Sequence, residues 1–104
     1  MDKISVGIEE VVRRFLEALS HKKRVSEAYL FGSHAKGTAS VWSDIDLAVV
    51  SPDFSEDLFL ERLMLMRVAA EIDERIEPKP FRPEDFQPSD PLVNEIRQTG
   101  IALH

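Results

Sequence analysis

A chain of 104 residues has room for one modest hydrophobic core and no second domain, so a single domain over residues 1–104 is expected. Hydrophobic residues at 43% exclude disorder, and 13 bases against 19 acids, a net charge of −6, argue against sequence-independent duplex binding, which needs a field of Lys and Arg. The absence of cysteine removes disulfides, thiolate zinc sites and cysteine nucleophiles. No apolar run approaches the ~18 residues of a membrane span. Glu9, Glu10, Arg13, Arg14 and Glu17 break up the opening segment, so no signal peptide is expected and the reading is cytoplasmic.

The first element reads as an amphipathic helix. Ile4, Ile8, Val11, Val12, Phe15, Leu16 and Leu19 recur at spacings of three and four, and the charged residues fill the opposite face. Its end, His21-Lys22-Lys23-Arg24, suits the carboxyl end of a helix dipole better than a nucleic-acid patch, because no aromatic residue is interleaved. Val25–Phe31 reads as a strand stopped by Gly32-Ser33, and residues 33–43 as a small, polar loop. Ile45–Val50 is apolar throughout except for Asp46, which predicts a strand covered on both faces. Ser55 is the expected cap of a second long helix of about five turns, with Leu58, Leu65 and Ile72 on one line and Met66, Ala69 and Ile76 beside them. Arg75–Phe81 is a weaker strand, placed at an edge or kept short because Pro78 and Pro80 cannot donate to a ladder. Pro91–Gln98 reads as a last helix, with Gly100 just past its end and a short apolar stub after it.

The chemistry concentrates in two features. Phe31-Gly32-Ser33 is a strand running into a turn whose amides and hydroxyl suit phosphate oxygens. Ser43-Asp44-Ile45-Asp46-Leu47 puts two carboxylates at i and i+2, on one face of an extended chain. Like charges held that close need a cation between them or a proton on one. An all-oxygen pair suits a hard cation such as Mg²⁺. Asp46 in particular, set among apolar neighbours, calls for a partner.

The segment Leu30-Phe-Gly-Ser-His-Ala-Lys-Gly-Thr-Ala-Ser-Val-Trp-Ser-Asp-Ile-Asp-Leu-Ala-Val-Val resembles the signature of the DNA polymerase beta-like nucleotidyltransferases, in particular the minimal nucleotidyltransferases. The tail Asn94-Glu-Ile-Arg-Gln-Thr-Gly-Ile-Ala-Leu is similar to that family's as well. The resemblance implies an α+β fold, a small mixed sheet packed with helices. It implies that Gly32 and Ser33 hold nucleotide phosphates and that Asp44 and Asp46 ligate Mg²⁺, two ions in all. A third carboxylate, ligand and general base, is assigned to Glu77, with Asp73 and Glu74 as the other candidates. Two positions depart from the family pattern: Glu77-Pro-Lys-Pro stands where an Asp between apolar residues is usual, and His34 where Arg is common. Lys36 is then the expected triphosphate contact, and Trp42 is expected to be a packing anchor.

The implied activity is transfer of AMP from ATP to a hydroxyl, a tyrosine's by expectation, on a helical HEPN-domain toxin, with this chain the antitoxin of a HEPN/MNT pair. A domain this small leaves part of the active site to the partner. The alternatives are a degenerate relative that neutralises its partner by binding alone, and transfer to a small molecule such as an aminoglycoside.

Overall fold

The structure is a computed structural model that describes residues 4–103. β1 (Glu27–Phe31), β2 (Ile45–Val50), β3 (Ile76–Phe81) and β4 (Ile101–Ala102) form one sheet in the order β3-β2-β1-β4. β1 runs antiparallel to β2 and β4, whereas β2 and β3 are parallel, so the sheet is mixed and the α+β expectation holds. The parallel pair needs a crossover, supplied by the helix α3 (Leu58–Ala70).

Strand alternation divides the core in two. Leu30, Ile45, Leu47, Val49 and Ile76 pack with Phe15 and Leu19 of α1 (Val6–Ser20) and with Leu65 and Val68 of α3. On the other face Ala48, Val50 and Phe81 meet Phe86 and Val93 and Ile96 of α4 (Pro91–Thr99). Phe86 stacks on Tyr29, meets Phe81 edge-on and lies under the Arg97 guanidinium, 4.7 Å from the ring centre.

Several boundaries differ from expectation, each for a local reason. Ser5 caps α1 by accepting from the Ile8 amide, so Ile4 lies outside the helix. The basic run after it is bound to the body of the protein: Arg24 holds Asp53 through a fork, and Lys23 pairs with the buried Glu61. The cap of α3 is Asp57, which accepts from the Leu60 amide, and not Ser55, whose own amide donates to Glu61. That helix ends at Ala70, well short of five turns. Asp73 accepts from the Arg75 amide and grips its guanidinium, which makes a turn and releases Ile76 into β3. Residues 33–36, expected as loop, form a helical turn, α2 (Ser33–Lys36).

β3 is a full six-residue edge strand despite its prolines. The Ile45 amide donates to the Arg75 carbonyl and the Ser51 amide to the Phe81 carbonyl. Alternation then turns the odd-numbered residues of β3 toward β2 and leaves the nitrogens of Pro78 and Pro80 facing outward. The donors lost are those that would have offered the edge to another strand.

Candidate active site

Asp46 is the second residue of β2 and its register partners are Phe31 on β1 and Glu77 on β3, so Asp46 and Glu77 stand side by side on the face that α4 only partly covers. Asp44 precedes the strand by one residue and is exposed. The Asp46 carboxyl is pushed above its ordinary range, first by burial and then by the charges of Asp44 and Glu77, with His34 and Lys79 pulling weakly the other way. The charges of the other two acids thus reach Asp46 from two chain segments, its own and β3.

Gly32 supplies the other half. Its φ of 76° and ψ of −152° are open to glycine alone, and a β-carbon there would lie 2.4 Å from Asp46 Oδ2. The backbone thus passes directly against the carboxylate, and only glycine permits it. Beyond it α2 begins without a side-chain cap. Its first bonds run from the Ala35 and Lys36 amides to the Gly32 carbonyl, which leaves the Ser33 and His34 amides without an acceptor among the described residues, one and two positions after the glycine that touches Asp46.

The remaining residues take varied places. Lys36 is exposed and pairs with Glu95 of α4 at 3.2 Å. Asp73 is committed to Arg75, and Glu74 is exposed in the turn before β3. His34 is half-buried, its Nε2 3.5 Å from the Ser43 carbonyl. Trp42 is no packing anchor: it is 87% exposed. Hydrogen bonds among Ser40, Trp42 and Ser43 fix its loop, and Arg75 reaches the Val41 carbonyl. Two residues escaped the sequence reading. Lys79 follows Glu77 by two on the same strand face, a spacing that was legible. Arg62 of α3 pairs with Glu77 at 3.5 Å, a tertiary contact with no sequence signal.

The donor set at Asp44 and Asp46 is all oxygen and suits a hard divalent cation, with Lys79 and the Arg62 bound to Glu77 as the positive charges nearby. Among the described residues no three acidic or imidazole groups converge on one point, consistent with Glu77 being engaged by Arg62. Asp44 is exposed, and Asp46 and Glu77 are half-buried; a separate cleft of about 560 Å³ is lined by Ile4, Ser5, His34, Ser40 and Arg75 among others. No described helix is long and apolar enough to cross a membrane.

Two comparisons with known proteins give the same family, and a third gives the same fold. The model of the nucleotidyltransferase domain family matches residues 12–98. A candidate protein adenylyltransferase of Methanocaldococcus jannaschii is 36% identical over 70 residues, 59% of this chain and 70% of that one. A candidate nucleotidyltransferase of Sulfolobus solfataricus superposes with a TM-score of 0.67 at 19% identity, over 93% of this chain and 79% of its own. A toxin–antitoxin structure with AMP-PNP gives 0.64 at 24% identity, over 92% and 72%. A mutant of the toxin–antitoxin MntA–HpeT gives 0.63 at 23%, over 89% and 71%. At these identities the solved structures speak for the fold, and the family match for the rest. The chain belongs to the nucleotidyltransferase domain family and is a nucleotidyltransferase.

Proposed function

We propose that this protein is a Mg²⁺-dependent protein adenylyltransferase that transfers AMP from ATP to a hydroxyl of a HEPN-type toxin partner and so acts as its antitoxin. The observation that carries the reading is the register that sets Asp46 against Glu77 while the Gly32 backbone touches the Asp46 carboxylate. Gly32 and the amides of Ser33 and His34 receive the phosphates, with the Ser33 hydroxyl beside them. Lys36, once freed from Glu95, adds a cation. Asp44 and Asp46, with Glu77, would hold two Mg²⁺ ions, and the chemistry these would supply is neutralisation of phosphate charge. The acceptor oxygen bonds to the α-phosphorus, the bond from that phosphorus to the bridging oxygen breaks, and pyrophosphate leaves. Glu77 takes the acceptor's proton.

The exposure of Asp44 and the partial exposure of Asp46 and Glu77 favour a macromolecular acceptor, which brings its own walls, over a small molecule that needs a pocket. The relative described as a candidate protein adenylyltransferase, and the toxin–antitoxin setting of two structural neighbours, point the same way. Incubation with labelled ATP, Mg²⁺ and the partner should label the partner, and Asp44→Asn with Asp46→Asn should abolish the label. Label that survives both changes rules out the metal assignment.

The engagement of Glu77 by Arg62 favours one second reading, neutralisation by binding alone. The same double variant separates the two, since a binding module would still protect cells from the partner.

A further inference from the structure

α3 is apolar on two sides. Leu65, Val68 and Ala69 face the core, but Phe59, Leu63 and Met66 face outward with Phe59 70% exposed, and Leu60 lies exposed beside them. Positions 59, 63, 66 and 70 are separated by four, three and four residues, which is the seam spacing of paired helices. Arg62 and Arg67 occupy the two positions that flank such a seam, and Arg67 has no ion pair among the described residues.

We infer that this face seats an amphipathic helix of a partner polypeptide whose apolar seam is flanked by acids. A second copy of this chain is a poor occupant. Parallel pairing would set Arg62 against Arg67, and antiparallel pairing would set each arginine against its own copy. Four exposed apolar side chains also fall well short of the roughly 800 Å² per partner of a stable interface, so the occupant extends beyond α3. The neighbouring edge of β3, stripped of donors at Pro78 and Pro80, does not accept an added strand. The seam is joined to the candidate active site by the Arg62–Glu77 pair, so an acid on the incoming helix competes with Glu77 for Arg62. Identifying that helix with the acceptor's rests on the proposed function; the existence of the seat does not.

The test uses the full chain without nucleotide and two synthetic three-heptad peptides with Leu at the seam, one flanked by Glu and the other by Lys. Calorimetry should show saturable binding of the Glu peptide and at least about tenfold weaker binding of the Lys peptide. Leu63→Asp should cost about tenfold or more, and Arg62→Glu with Arg67→Glu, both at exposed positions, should reverse the preference between peptides. The inference is overturned by absence of saturable Glu-peptide binding, equal binding of both peptides, or binding undiminished in Leu63→Asp. Sedimentation showing a dimer that Leu63→Asp dissolves would assign the face to a second copy instead. A nucleotide site that fails in the labelling assay leaves these readings unchanged.

Discussion

The two faces of the sheet spend the same strands differently. Under α1 and α3 the inward residues Leu30, Leu47, Val49 and Ile76 are apolar and buried, and they meet Phe15 and Leu19 without a polar group between. On the other face α4 and Phe86 cover Ala48, Val50 and Phe81, while the opposite strand ends present Asp46 and Glu77, with Lys79 between them and the covered part. One face is built to exclude water and the other to gather charge. The second is possible because the first, with Tyr29 and Phe86 closing the far end, carries the stability.

Five substitutions bear on that contrast. Leu47→Ala, which opens the covered face, should cost about 2–5 kcal/mol in urea unfolding, the largest effect on stability. Gly32→Ala should cost about 1–3 kcal/mol through its backbone conformation alone, and its β-carbon would also displace the Asp46 carboxylate. Loss of nucleotide binding together with stability is the expected pattern there. Loss of stability with binding intact would break the link between the turn and the carboxylate.

Asp46→Asn should do the reverse and stabilise the metal-free protein at neutral pH. The folded carboxyl is raised above 3.8, so wild-type stability falls as pH climbs through the raised value, and the variant lacks that fall. Thermal melts in EDTA across pH 4–8 check it, and an unchanged profile would show that the charged face carries no strain. Asp53 has the opposite sign. Arg24 holds its carboxyl down at about 2, so this pair supports the fold above pH 4 and gives way as pH falls toward 2. Asp53→Asn should flatten that acid limb. The smallest effect belongs to Lys36→Ala, where breaking an exposed pair with Glu95 costs about 1 kcal/mol or less, and a much larger loss of nucleotide binding would locate Lys36 at the phosphates.

How much of this was legible depends on how local each cause is. Asp46 stands out because it is one acid in an otherwise apolar strand, and the Gly32-Ser33 turn marks the end of another. Both follow from neighbours in sequence. The overlong second helix fails for the opposite reason: the line through Leu58, Leu65 and Ile72 continues, but the grip of Asp73 on Arg75 stops the helix first. Glu77 could be proposed from a strand pattern, yet its place beside Asp46 is a matter of register between distant segments. Its pairing with Arg62 is a contact across the β3 edge that spacing does not encode. Met66, expected beside the core line, lies on the outward face of α3, because apolar residues on both sides of a helix leave periodicity little to distinguish.

Trp42, the one tryptophan in the chain, stands in water on a braced loop two residues from Asp44. Its emission in the free protein is therefore that of a solvated indole, with no second indole to dilute the signal. Any occupant that closes over the loop shifts that emission to the blue, so the molecule carries an optical gauge at the rim of its own carboxylates.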